Sequence, residues 1–431
     1  MPTPPTLHVA IIGSGPAGCY LAQSLLRALP GATLTLFDRL VSPFGLIRYG
    51  IAADHQHTKA ITRQFERLFQ SGAVRFAGDI EVGRDVSLEE LRAQFDAVVL
   101  ATGLSADRSL GVPGSELTGV VGSGEVTRIL NAHPDEPAQL PELGSDIVIV
   151  GAGNVALDLL RFLVKSADDF TDSDVAEIAL HEYASAPASR ITLVSRSSAA
   201  SSKGDPQMIK ELAALERASY ATPDPVSPDP TTGLDRTATS RVVAIGELVS
   251  PLRPQHPGPR VTLRFGLTPQ RVLGSDRVEA VEFSDERGTV TVPATAVLTA
   301  IGFDESVTEG VTGTAFSPSS DTGRVAPGLY RTGWAKRGPR GAIPENRACA
   351  KSVAEELVAD LDSGAIDPTS TKLGFDGLSQ QLRDRAISYA EWLVLDAHER
   401  EQAPAHRVRR KLPNHTHMAN IARGLAATYS A

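Results

Sequence analysis

Short apolar runs, most of them closed by glycine or an acidic residue, alternate along this chain with stretches whose apolar positions recur every three or four residues. The runs predict strands at 7–12, 33–37, 95–100, 147–150, 190–194 and 297–301. The periodic stretches predict helices at about 16–28, 59–69, 154–163, 207–218 and 344–359. The run at 147–150 is too short and too apolar for an exposed strand and suits a parallel sheet. Residues 221–240, rich in Pro, Thr, Asp and Ser, read as a surface loop. A β-rich stretch is expected over 241–300, with alternation at 261–265 and 278–283, and two further helices are expected in the tail from about 376.

Two of the strand-to-helix junctions carry glycine loops. The first is Gly13-Ser14-Gly15-Pro16-Ala17-Gly18 and the second is Gly151-Ala152-Gly153-Asn154-Val155-Ala156. Glycines in such a turn admit a pyrophosphate to the N-terminus of the following helix. The 33–37 strand ends at Asp38-Arg39, which places an acid where a ribose 2′-hydroxyl is held in dinucleotide folds. The 190–194 strand ends instead in Ser195-Arg196-Ser197-Ser198, with no acid. Arg196 there suits a 2′-phosphate and tilts the second cofactor toward NADP, although a solvent-facing arginine is the plainer reading. Ala101-Thr102-Gly103 closes the 95–100 strand, and Gly103 either lets backbone pass close to a ligand or forms an ordinary turn. The expectation is an α/β chain with two Rossmann-like nucleotide-binding domains, holding two dinucleotides between which electrons pass.

Composition narrows the chemistry. The chain has 431 residues, 42% of them apolar, and a formal charge of −9. An acidic chain is a poor nucleic-acid or membrane surface. Cys19 and Cys349 are the only cysteines, so there is no disulfide framework, no CxxC dithiol and no four-cysteine metal or cluster site. No stretch reaches a membrane-spanning length and no secretory leader is evident, so the expectation is a cytoplasmic protein without a metal site.

Larger blocks carry a resemblance. Pro43-Phe44-Gly45-Leu46-Ile47-Arg48-Tyr49-Gly50-Ile51-Ala52-Ala53-Asp54-His55, residues 151–158 with Arg161, residues 299–303, and Gly333-Trp334-Ala335-Lys336-Arg337-Gly338-Pro339-Arg340-Gly341-Ala342-Ile343 join the first glycine loop. In these the chain resembles the adrenodoxin-reductase-type ferredoxin–NADP reductases, over roughly residues 5–400. The resemblance implies a discontinuous FAD domain, residues 1–105 and 325–431, with an NAD(P)H domain, 106–324, inserted in it. It implies FAD along Gly13, Gly15, Pro16, Ala17, Gly18, Asp38, Arg39, Gly45, Leu46, Gly50, Thr102 and Gly103, with Gly333, Trp334, Gly341, Ala342 and Ile343 bordering the flavin. It implies NADPH at Gly151, Gly153, Asn154, Val155 and Arg196, and it brings His55 and Glu211 near the reacting rings as orienting or proton-relaying groups.

The chain departs from that family at two places. Two adjacent arginines are usual where this chain has Arg196-Ser197, so Lys203 is the candidate second cation, and NADH competes if it does not serve. The family's C-terminal Gly-Arg-Pro-Arg stretch is also missing around 401–410. The implied electron acceptor is a ferredoxin or similar iron–sulfur protein, and the expected state is a monomer. Lys336, Arg337, Arg340 and the run Arg407-Val408-Arg409-Arg410-Lys411 are candidates for a docking face; the run is alternatively an internal phosphate contact or, most simply, a solvent-facing stretch. A flavin monooxygenase or NAD(P)H oxidase, and a non-catalytic docking subunit, are the competing readings. A dithiol reductase is disfavoured by the absent CxxC.

Overall fold

The computed structural model describes residues 6–226, 233–305, 322–341, 343–368 and 371–425. The chain divides into two compact units. One comprises Met1–Ala106, His133–Asp135 and Phe303–Ala431, and the other Asp107–Ala132 and Glu136–Gly302.

The first unit is built on a six-stranded sheet in the order Arg324–Ala326, Leu329–Arg331, Ala97–Leu100, His8–Ile12, Thr33–Phe37, Val74–Ala77. All neighbours are parallel except the outermost Arg324–Ala326. Both faces of the central strands are buried. Val9 and Ile11 face one apolar cluster with Leu21, Leu25 and Leu357, while Ala10 and Ile12 face another with Phe37, Ile80 and Phe95. That double burial explains the unbroken apolar run. Helix Pro16–Ala28 packs along Ile343–Asp362, so the N-terminal and C-terminal parts of the chain close one core.

The second unit repeats the plan with a six-stranded parallel sheet, Val120–Gly122, Ala296–Thr299, Asp146–Val150, Arg190–Ser195, Arg260–Phe265, Ser219–Ala221. An antiparallel three-stranded sheet, Thr268–Gly274, Val278–Asp285 and Gly288–Pro293, adds to it.

The expected strands and most helices lie within a few residues of their predicted places, with four differences. Residues 236–248 form a helix rather than loop and strand. Asp235 caps it through the Ala238 amide at 2.7 Å, and Val242, Ile245 and Leu248 bury one face. Its β-branched residues, Thr237, Thr239, Val242 and Val243, imitate a strand composition. The predicted 59–69 helix divides into Gln56–Lys59 and Thr62–Gln70. Among the described residues the tail holds three α-helices rather than two: Gln380–Arg385, Tyr389–Glu401 and His415–Ala422. Part of the loop expected at 221–240, namely 227–232, lies outside the described residues.

The fourth difference concerns the basic run. Arg407 and Lys411 are buried, Arg409 donates to Asp396 at 2.6 Å and Glu399 at 3.0 Å, and only Arg410 of the four cations is exposed. Glu399, fully buried, accepts from Arg48 Nη2 through both carboxylate oxygens at 2.5 and 2.6 Å. The Arg48 guanidinium lies over the rings of Tyr49 and Trp392, and Lys411 Nζ donates to the Arg48 carbonyl at 3.0 Å. Burial disfavours the charge on Arg48, but Glu399 outweighs burial and holds the guanidinium firmly protonated. The basic run is therefore internal architecture beneath the 43–50 block. Removing one partner of such a buried pair leaves an uncompensated charge. Glu399→Gln should lower unfolding free energy by about 3–5 kcal/mol. The paired apolar change Arg48→Met with Glu399→Leu should cost much less, as read from urea unfolding of the three proteins.

Candidate functional site

In the first unit, the outer glycines of the first loop are forced by backbone contact and the middle one faces open space. Gly13 has φ +109°, and a Cβ there would lie 2.5 Å from the Ala101 carbonyl oxygen. A Cβ on Gly18 would lie 2.0 Å from the Gly13 carbonyl oxygen. A Cβ on Gly15 would meet nothing within 4 Å. Gly15 is the N-cap of helix Pro16–Ala28 and supplies no side-chain cap, so the first-turn amides face the same opening. Pro16 fits the first helical turn, where no amide hydrogen is needed. This is a cradle shaped for a pyrophosphate.

The resemblance blocks gather on that cradle. Gly45, at φ +45°, would bring a Cβ within 3.3 Å of Gly15 Cα, and the Phe44 amide donates to the Ser14 carbonyl at 3.2 Å. Phe44 itself takes φ +80°, a strained value for a bulky residue. Leu46 is 40% exposed at the start of Leu46–Tyr49, and Gly50 ends that turn by donating to the Leu46 carbonyl at 2.7 Å. Gly333, at φ +65°, lies so close to Ala17 that a Cβ would stand 2.5 Å from the Ala17 Cβ. Trp334 stacks on Phe303 with ring centroids 5.8 Å apart, and its indole donates to the Gly341 carbonyl at 3.2 Å. Ile343 opens the helix Ile343–Asp362, and Ala342 lies outside the described residues. Thr102 is exposed, and Gly103 has φ +70° with open space beyond its α-carbon.

Asp38 is engaged rather than waiting. It accepts from the Ser14 amide at 3.0 Å, the Ser14 hydroxyl at 2.5 Å and the Leu40 amide at 3.0 Å. A carboxylate has lone pairs left for a further donor, so its first task is to fix the glycine loop. Arg39 is exposed and pairs with Asp135, which also accepts from His415 Nε2 at 2.5 Å. Burial works against the Asp135 carboxylate, but His415 and Arg39 outweigh it and hold its pKa well below the usual carboxylate range. Cys19 sits under the loop with its thiol donating to the Ser14 carbonyl at 3.2 Å, and burial pushes that thiol far up, out of reach of redox chemistry at neutral pH. His55 is half-buried at the N-cap of Gln56–Lys59, without a capping hydrogen bond to that helix.

The second unit carries a second cradle of the same design. Gly151 has φ +127°, and a Cβ would lie 2.2 Å from the Ala300 carbonyl oxygen, while a Cβ on Gly153 would meet nothing within 4 Å. Ala156, fully buried, takes the third glycine's place. Asn154 starts the helix Asn154–Val164, and its Oδ1 accepts from the Asp205 amide at 2.9 Å; Val155, next to it, is half-buried. Arg196 and Lys203 are both exposed on the loop after Arg190–Ser195. Glu211 is half-buried on Pro206–Ala214.

Sequence reasoning missed several members of these sites. Ser14 and Phe303 lay inside quoted motifs, so only the choice of residue was lost. Asp135 and His415 are far from Arg39 in sequence and carry no local signal.

Comparison with known proteins agrees with the two cradles. The family model described as pyridine nucleotide-disulphide oxidoreductase matches residues 7–217. A cindoxin reductase of Citrobacter braakii is 39% identical, covering 96% of this chain and 91% of that protein. A probable mitochondrial NADPH:adrenodoxin oxidoreductase of Schizosaccharomyces pombe is 32% identical, covering 92% of each. The structure of Mycobacterium tuberculosis FprA in complex with NADPH matches with a TM-score of 0.87 and 27% identity, over 98% of this chain and 100% of that one.

Two outcomes follow from the geometry. Gly18→Ala must displace backbone and should destabilise the ligand-stripped chain by roughly 1–3 kcal/mol, whereas Gly15→Ala should leave urea unfolding nearly unchanged and lose bound dinucleotide. Because the Asp135 pKa is depressed in the folded chain, its stabilising contribution is complete above about pH 4 and fades as pH falls toward the folded value. Asp135→Asn should therefore lower stability at neutral pH and flatten the acid limb of a stability–pH curve below about pH 4.

Proposed function

Because the chain belongs to the adrenodoxin-reductase-type ferredoxin–NADP reductases, we propose that it is an FAD enzyme that takes hydride from NADPH and passes single electrons to a ferredoxin-like iron–sulfur protein. The observation that carries this reading is the pair of cradles, one in each unit, each blocked at its first glycine and open at its middle one. Flavin, when bound, supplies the conversion between a two-electron donor and a one-electron acceptor. The chain's own residues then have the tasks of binding, orientation and water exclusion.

In this reading the first cradle holds FAD. Gly13, Gly15 and Gly18, with Pro16 and Ala17, meet the pyrophosphate. Asp38 orders Ser14 and accepts a ribose hydroxyl, while Arg39, tied to Asp135, borders the adenosine end. Gly45, Leu46 and Gly50 line the groove, Thr102 and Gly103 close it, and Gly333, Trp334, Gly341 and Ile343 border the ring. The amides opening Ile343–Asp362 would favour negative charge on a flavin held at that helix start. The second cradle, with Gly151, Gly153, Asn154 and Val155, holds the pyrophosphate of NADPH. Arg196 and Lys203 hold its 2′-phosphate, and NADH is disfavoured to the extent that both cations engage. His55 and Glu211 are assigned to orient reacting groups and to carry a proton where one is exchanged.

Electron transfer to a carrier protein needs a face that this acidic chain offers only locally. Lys336 is buried beside Glu356, and Arg337 donates to Asn346 at 2.9 Å, so of that group Arg340 alone is exposed. Internal contacts of the 407–411 run remove most of it from any docking face. Relatives that are ferredoxin–NADP and NADPH:adrenodoxin reductases support an iron–sulfur carrier as partner. Among the described residues no helix is long and apolar enough to cross a membrane, and a cytoplasmic monomer completes the proposal.

One anaerobic titration tests this. The purified yellow protein should bleach with about one equivalent of NADPH per flavin, and added ferredoxin should restore the colour faster than oxygen does. No bleaching, or recovery fastest with oxygen, would reject the assignment.

A further inference from the structure

We propose that Arg241 is a positioning residue for nicotinamide preference: it fixes the shape of the 196–205 loop so that Lys203 joins Arg196 in holding a ribose 2′-phosphate. The inference rests on the preceding reading of the second cradle and goes beyond it by naming what presents the second cation.

The loop is built from short, mostly polar contacts. The Ser197 amide donates to Ser195 Oγ at 3.1 Å, and the Gly266 amide to the Ser197 carbonyl at 3.2 Å, which fixes the start. Residues 198–202 then turn back on themselves, with the Ser202 amide donating to the Ser198 carbonyl at 3.0 Å and the Ser202 hydroxyl to the Ala199 carbonyl at 2.9 Å. The end rests on the second cradle. Gly204 is so close to it that a Cβ would lie 2.8 Å from Leu157 Cδ1 and 3.2 Å from the Ala152 carbonyl oxygen, and the Asp205 amide is held by Asn154.

Arg241 joins the turn to that end. From the helix Arg236–Leu248 its Nε donates to the Gly204 carbonyl and its Nη1 to the Ala200 carbonyl, each at 2.7 Å. These are short, charge-assisted bonds from one planar fork. The clamp spans 200–204, and Lys203 lies inside it with its side chain exposed. Two donors of Arg241 are thus committed to main-chain carbonyls, and its part is to hold the loop rather than to meet the phosphate. A lysine at 241 is a single compact point charge and cannot reproduce both bonds in one plane. An apolar side chain removes both and frees the backbone on either side of Lys203.

The structure also explains why such a clamp matters in this chain. A 2′-phosphate offers several acceptor oxygens and is best met by more than one cation. Only one arginine stands at the strand end here, followed by Ser197 and Ser198. The second cation comes from seven positions further on, and a flexible loop would lose entropy on each encounter that brings it to the phosphate. A loop fixed beforehand does not.

The test uses FAD-loaded enzyme and two readouts. Calorimetry compares 2′,5′-ADP, which carries the 2′-phosphate, with 5′-AMP, which lacks it. Steady-state assays with ferricyanide compare NADPH with NADH. Arg241→Met should weaken 2′,5′-ADP about tenfold, leave 5′-AMP within about twofold, and raise KM for NADPH with little change in kcat. Lys203→Ala should do the same, the double variant should be no weaker than Lys203→Ala alone, and Arg241→Lys should fall between. Equal losses for both nucleotides, or a double variant whose loss is the product of the two single losses, would overturn the proposal. A silent Lys203→Ala beside an effective Arg196→Ala would overturn it while leaving the cradle assignment standing. Silence of both would remove the 2′-phosphate reading of the loop as well. Should Arg241→Met fail to fold, Arg241→Gln with the same pair of ligands decides, selective loss of 2′,5′-ADP supporting the clamp and unchanged binding overturning it.

Discussion

Everything in this molecule is arranged around the close approach of one backbone to another at a strand end. At Gly13 and Gly151 the main chain runs so near a neighbouring carbonyl that any side chain would collide with it. Positive φ at both positions excludes most residues a second time. The gap left beyond Gly15 and Gly153 is the complement of that crowding. One side of the turn is filled so that the other can be emptied. Strands buried on both faces fix the turn, and helices without side-chain caps point their amides through it.

Much of this is legible in the amino-acid sequence. Buried parallel strands announce themselves as unbroken apolar runs, and the glycine spacing of each turn is a local pattern, although the carbonyls that exclude a side chain at Gly13 and Gly151 belong to distant Ala101 and Ala300. The 236–248 helix was not legible because its β-branched residues mask a helical period, and only the burial of Val242, Ile245 and Leu248 reveals it. The fate of Arg407–Lys411 was not legible for a different reason. A basic run resembles a solvated face until its acids are found, and Glu399 and Asp396 stand on a helix that had first to be folded against Arg48. Asp38 shows a third limit: the acid stood at the expected place, yet its nearest donors are in the loop that it was meant to serve with.

Several cations of this protein work inward. Arg48, Arg409 and Lys411 support the 43–50 block from beneath, Lys336 and Arg337 brace the return segment, and Arg241 gathers a loop. Each donates to carbonyls or carboxylates within the fold, where a hydrogen-bonded polar group avoids the cost of desolvation. Arg196, Lys203 and Arg340 are among the exposed cations, as is Arg410. Inward cations set shape and outward cations set partners. Composition counts them together, which is why a net charge says little about docking.

The Arg48–Glu399 pair joins residues 351 positions apart. During synthesis the N-terminal strands and the first glycine turn emerge long before Glu399 leaves the ribosome. Until then Arg48 has no buried carboxylate, and the Phe44–Gly50 turn lacks the support that fixes it against Ser14 and Gly15. The whole second unit, encoded between them, is free to fold first. Maturation of the first pocket is thereby deferred until the helix that bears Glu399 has emerged, and a polypeptide truncated before it would carry a formed second cradle and an unfinished first one.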